Sequence, residues 1–123
     1  MDLKLVFRIA AVIAAINGLG MLIMTSTFIA MANITPTPDL ITLGQFMGVT
    51  FLFLAIVEWR IPDIAGDSTS SLGQLWAIGN VLWFLIVGYH IMTGQAGGAT
   101  AYVNAALFAV FAVLFYMKSK GSE

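Results

Sequence analysis

The chain has 123 residues, of which 60% are hydrophobic and 9% are charged, and its mean hydropathy is +0.98. A soluble domain of this length needs more polar residues to cover its surface, so the composition excludes a water-soluble globule and predicts a protein solvated by lipid. The net charge of -1 excludes a basic surface for nucleic acid, and the lack of cysteine excludes disulfides and thiolate metal sites.

Four long apolar segments predict four transmembrane helices, each with roughly the 20 residues that cross a bilayer. In chain order, the predicted helices run over about 5–31, 40–59, 72–92 and 101–117. Turns rich in proline, in serine and threonine, and in glycine separate them. The segment Ile61-Pro62-Asp63 is predicted to stop the second helix, because proline lacks the N–H that a helix interior needs. The predicted fold class is an all-α bundle of two helical hairpins, in a single integral membrane domain over 1–123.

The positive charges predict the orientation of this bundle. All five fall in three places, which are Lys4 with Arg8, Arg60, and Lys118 with Lys120. If four helices cross the membrane, these three places share one side. The positive-inside rule then predicts that this side, with both termini, is cytoplasmic.

Small residues predict where the helices approach each other. Gly44 and Gly48 form a GxxxG step on the second helix, and Gly18 lies on a stripe of small residues on the first. Such residues let helix backbones come close, which favours packing in lipid. Packing within one chain is one interpretation, and a homodimer through this motif is the other. The deep amides of Asn17 and Asn80 are predicted to specify packing between helices.

Two charged side chains are predicted to meet inside the first hairpin. Folding the first two helices against each other brings Arg8 and Glu58 to a similar depth, where pairing avoids an isolated charge in the membrane. We therefore expect a salt bridge between them. One interpretation is a structural pair, or two side chains that snorkel to water, and the other is a proton-relay carboxylate at Glu58.

The third helix carries a stripe that should face the other helices. Successive residues are three or four positions apart, which places them on one helix face: Gly73, Trp76, Asn80, Trp83, Val87 and His90. Facing lipid would expose the polar groups of Asn80 and His90, so this face is expected to pack inward.

A polar site is predicted near the outer ends of the helices. His90, Gln45 and Asn104 lie at similar depths on three helices, with Tyr89 beside them, and Trp83 offers a flat aromatic surface. Such a site suits the head group of a quinone or lipid, or a pigment bound axially through one imidazole. The alternative is a histidine that only hydrogen-bonds between helices. No second histidine or Glu-x-x-His spacing accompanies His90, which argues against a multidentate metal site.

The layout resembles a known group of proteins. Four helices of about this length, a glycine-containing second helix, LGQFMGVTFLFLAIVEWR, that ends in a charged residue, and a short internal link resemble the DoxX-like small membrane proteins of bacteria. The resemblance implies a four-helix bundle of the bacterial inner membrane, sometimes an accessory subunit of redox enzymes. It transfers no catalytic residue.

The leading functional hypothesis is a non-enzymatic accessory or assembly subunit of a membrane complex, or a homo-oligomer. The sequence shows no nucleophile motif, metal cluster or phosphate loop, and glycine-rich helix faces predict contacts with other transmembrane helices. A binder of a quinone, lipid or pigment in the outer polar site is the alternative. A proton-coupled transporter or channel that uses Glu58 is the weaker one. The sequence requires no cofactor.

Overall fold

The computed structural model describes residues 1–121, which form five α-helices and one 3₁₀ turn and contain no strand. The elements are α1 Leu3–Ile23, α2 Thr25–Met31, α3 Pro38–Ile64, the 3₁₀ turn Gly66–Ser68, α4 Thr69–Met92 and α5 Gly98–Gly121. Four described segments are long and apolar enough to cross a membrane: Leu3–Ile23, Pro38–Ile64, Gly66–Met92 and Gly98–Lys120. The predicted all-α fold is confirmed for the described residues, and its four helices that are long and apolar enough to cross a membrane indicate an integral membrane protein.

The first predicted helix is interrupted. Met24 adopts φ -117° and ψ 46°, so α1 ends at Ile23 and α2 begins at Thr25. The hydroxyl of Thr25 donates a hydrogen bond to the carbonyl of Met21 at 2.5 Å, a local bond that competes with the helix ladder and bends helices. The bend lets the ring of Phe28 in α2 pack against Gly20 in α1.

The second predicted helix is longer at both ends than the sequence indicated. Thr37 caps α3 by accepting a hydrogen bond from the Leu40 N–H, and Pro38 occupies the first turn, where its missing N–H costs nothing. The prediction that Pro62 stops this helix is wrong, because α3 continues to Ile64. Pro62 lies in the last turn, so the one helical hydrogen bond that it removes is the bond to the Glu58 carbonyl.

The helices form two hairpins that meet in a core at one end of the bundle. Helix α1 packs against α3, and α4 packs against α5. Leu3, Phe7, Ile61 and Phe115 belong to one buried cluster, so the start of α1 and the ends of α3 and α5 lie together. Because Lys4, Arg60 and Lys118 are near these cluster residues, we call this the basic end.

The opposite end is tied together by a turn. The Gly97 N–H donates to the Ala32 carbonyl at 2.8 Å, which attaches the turn between α4 and α5 to the end of α2. Gly98 has φ +70°, and a Cβ there would lie 2.5 Å from the Met31 carbonyl oxygen, so glycine alone fits this approach. The two hairpins therefore contact each other at both ends of the bundle. Between these ends, a gap remains between the hairpins.

Candidate functional site

A partly open cleft of about 380 Å³ lies between the two hairpins. All four long helices line it, with Ala14 from α1, Leu54 from α3, Gly79 from α4 and Leu107 from α5 among the apolar contributors. A cleft that is mainly apolar with a few placed polar groups is typical of small-molecule sites. We therefore take it as the candidate functional site.

Besides the tryptophans, five polar side chains are distributed along the cleft: Asn17, Glu58, Asn80, Thr100 and Asn104. Glu58 and Asn104 each lie six residues from a helix end, roughly 9 Å at the helical rise, but at opposite ends of the bundle. Asn17 and Asn80 also line the cleft and are placed between these two depths. The lining therefore offers an acid towards the basic end, two amides in the middle, and one amide with the Thr100 hydroxyl towards the opposite end.

Two of these amides have hydrogen-bonding capacity to spare. The Asn80 Nδ2 donates to the Trp76 carbonyl at 2.8 Å, and the Trp76 side chain hydrogen-bonds Glu58. Within residues 1–121, the amides of Asn17 and Asn104 make no hydrogen bond. Polar groups in a membrane interior are ordinarily satisfied, so these amides are available to a ligand.

Aromatic rings form one wall of the cleft. Trp83 lies between Phe51 of α3 and Phe108 of α5, with ring centroids 5.7 and 5.8 Å apart, and its ring is stacked on that of Phe108. This position explains why a tryptophan lies in the middle of a span rather than at its boundary. The three rings join α3, α4 and α5 and offer flat apolar surface to the cleft.

The charged groups near the basic end pair differently from the prediction. The predicted salt bridge between Arg8 and Glu58 is wrong, because Arg8 Nη2 donates to Asp63 Oδ1 at 2.7 Å. The Arg8 guanidinium also lies over the Trp59 ring, 4.2 Å from its centroid. Continuation of α3 past Pro62 supplies Asp63 as the partner. Glu58 is 6% exposed and, among the described residues, forms no ion pair.

The structure separates the residues of the predicted outer polar site. Asn104 and Trp83 line the cleft, whereas Gln45 lines a different surface depression beside the break at Met24. His90 and Tyr89 are not among the cleft residues, and their rings contact each other with centroids 5.3 Å apart. A pigment bound axially by His90 therefore has no connection to this cleft.

The predicted small residues lie at the contact between α1 and α3. A Cβ on Gly18 would be 2.9 Å from the Gly48 carbonyl oxygen, and one on Gly48 would be 2.8 Å from the Leu22 nitrogen. Gly44 meets side chains instead, since a Cβ there would be 2.7 Å from Cγ2 of Thr25 in α2 and 3.3 Å from Sδ of Met21 in α1. The GxxxG step therefore packs against α1 of its own chain. This agrees with the interpretation of packing within one chain rather than with that of a homodimer.

Sequence reasoning missed that Glu58 and Trp76 belong to the same site as Asn80. The signal was present in the stripe on the third helix, whose members Trp76, Asn80 and Trp83 all line the cleft. Glu58 was not added to this group of residues, because the sequence analysis paired it with Arg8 in a salt bridge.

No protein-family model matches the chain, and neither a curated protein nor a solved structure is significantly similar to it.

Proposed function

We propose that this is an integral membrane protein that binds a lipid-soluble small molecule in the cleft between its hairpins. The observation that carries the proposal is the pair of amides, Asn17 and Asn104, that line a mainly apolar cleft of about 380 Å³ without a hydrogen-bond partner among the described residues. This site takes the place of the outer one predicted around Gln45 and His90.

The polar groups favour a specific ligand over bulk lipid. An acyl chain can fill the apolar part of the cleft, but it offers no hydrogen-bonding group to the amides of Asn17 and Asn104. A molecule with an apolar body and one or more polar groups satisfies both requirements. In a medium without water, each such hydrogen bond is worth roughly 0.6 to 2 kcal/mol, so two amides can discriminate between ligands that differ only in polar groups.

Two glycines on α4 allow a matched test of this proposal. A Cβ on Gly79 or on Gly88 meets no heavy atom within 4 Å, but only Gly79 lines the cleft. We expect Gly79→Leu to fill part of the cleft without disturbing the fold. The protein would be purified from its native membrane in mild detergent, and bound molecules would be extracted and identified by mass spectrometry.

Gly79→Leu should lose at least nine-tenths of a molecule that wild type retains, while Gly88→Leu retains it. Equal retention by both variants, or the recovery of ordinary membrane lipid alone from wild type, would contradict the proposal. His90→Ala should also retain the molecule, because His90 lies outside the cleft.

We also propose that the basic end faces the cytoplasm, with both termini there, in a bacterial inner membrane. The clustering of Lys4, Arg60 and Lys118 at one end of the bundle and the positive-inside rule support this orientation. Because the chain has no cysteine, Gln95→Cys and Asp67→Cys provide clean reporters. A membrane-impermeant maleimide should label intact cells through Gln95→Cys only, and the reverse pattern would invert the orientation.

An accessory subunit of a larger membrane complex, or a homo-oligomer, is the second candidate function. Apart from Trp83, which packs between α3 and α5, the apolar side chains of residues 81–86 in α4 are exposed, which leaves room for a further transmembrane helix. This arrangement is compatible with the DoxX-like resemblance, which remains a prediction from layout. Crosslinking in native membranes should then trap a partner through a cysteine at Leu82 or Leu85. Recovery of a monomer alone would contradict this role.

A further inference from the structure

We propose that the cleft ligand is a lipophilic organic cation, with Glu58 as its counter-ion. This inference rests on the proposed function and narrows it, because a neutral quinone-like molecule would satisfy the amides equally well. The cation would be an amine, a quaternary ammonium or a comparable group that carries apolar substituents.

Glu58 gives the cleft its electrostatic character. Among the described residues that line the cleft, Glu58 is the only acidic one, and none of them is an arginine, lysine or histidine. Arg8, the basic residue expected beside it, is held by Asp63 and by the ring of Trp59. A carboxylate in a medium of low dielectric constant is strongly stabilised by a nearby positive charge. A cationic ligand supplies the positive charge that no described residue of the cleft lining provides.

The walls around Glu58 suit an organic cation. Trp76 hydrogen-bonds the carboxylate, and Phe111 lines the cleft at the same end of the bundle. Farther along the cleft, Trp83 stacks on Phe108. The negative faces of aromatic rings attract cations, most strongly where water is excluded. A carboxylate with aromatic walls therefore binds a positive group that also has apolar substituents.

A metal ion fits this site poorly. Calcium needs six to eight oxygen ligands and magnesium needs near-octahedral geometry, whereas the cleft offers one carboxylate and amides that lie at other depths. The apolar residues that make up most of the lining would contribute nothing to a metal ion. They match the substituents of a lipophilic cation instead.

The test compares two probes of similar shape and different charge. Tetraphenylphosphonium is the cation, and tetraphenylsilane, which carries the same four phenyl groups on a neutral centre, is the control. Binding to the purified protein in detergent would be followed by the fluorescence of Trp76 and Trp83, in a Trp59→Phe background that removes the tryptophan outside the cleft. We expect the cation to bind at least tenfold more tightly than the neutral probe.

Glu58→Gln should weaken cation binding at least tenfold and leave binding of the neutral probe unchanged, which also shows that the variant is folded. Asp67→Asn also replaces a carboxylate by an amide, but outside the cleft and away from Arg8, and should leave both affinities unchanged. Equal affinities for the two probes, or a cation affinity indifferent to Glu58→Gln, would overturn the inference. So would a failure of the parent protein to bind the cation. In each of these cases the comparison of Gly79→Leu with Gly88→Leu still decides the proposed function separately.

Discussion

Phe7→Ala is expected to lower the free energy of unfolding by about 2 kcal/mol or more. Phe7 is fully buried at the basic end, where its ring meets those of Phe115 and Trp76 at centroid distances of 4.8 and 5.9 Å. Lipid is as apolar as the core, so the transfer part of the usual penalty is small here. The cavity part remains, and roughly 100 Å³ of lost volume at about 24 cal/mol per Å³ gives roughly 2.4 kcal/mol. Titration with a denaturing detergent, followed by circular dichroism, measures the change.

Phe53→Ala is the matched control for this prediction. Phe53 has the same side chain on α3 but is 63% exposed towards the lipid face. Lipid can fill the space that the Phe53 ring leaves, so no internal cavity forms. The loss in free energy of unfolding should therefore be less than half that of Phe7→Ala. Equal effects of the two substitutions would show that the core at the basic end does not hold the hairpins together.

The sequence predicted the spanning helices because their signal is local. A run of about 20 apolar residues identifies a span wherever its neighbours lie, and the turns contained the expected proline and glycine. Helix ends were harder to predict. Pro62 is tolerated in the last turn of α3, and the break at Met24 depends on the Thr25 hydroxyl and on the packing of Phe28 over Gly20.

The candidate site was only partly predictable, because it depends on how the two hairpins are placed against each other. Depth along each helix could be counted, which brought Gln45, His90 and Asn104 to one level. The rotation of each helix about its own axis could not be read from the sequence. This rotation places Asn104 in the cleft lining and Gln45 at another surface. The partner of Arg8 was predicted wrongly for a different reason. Asp63 was expected to lie beyond the end of the second helix, whereas α3 continues to Ile64 and brings Asp63 to Arg8.

Gly48→Ala is expected to destabilise the hairpin of α1 and α3 by about 1 to 3 kcal/mol, the usual cost of forcing extra volume into a packed contact. The added Cβ would lie 2.8 Å from the Leu22 nitrogen and 2.9 Å from the Gly18 carbonyl oxygen. Both are backbone atoms, so no side chain can rotate away and the two helices must separate. The same detergent titration used for Phe7→Ala measures the loss.

Gly88→Ala separates this steric effect from helix propensity. The change is identical, and it lies in a helix where the new Cβ meets no heavy atom within 4 Å. Alanine favours a helix over glycine by up to about 1 kcal/mol, so Gly88→Ala should be neutral or stabilising while Gly48→Ala destabilises. The opposite signs matter more than the magnitudes, because propensity alone would move both variants in the same direction. A stabilised Gly48→Ala would mean that α1 and α3 do not approach closely at this step, and the GxxxG motif would then be free to face a second copy of the chain.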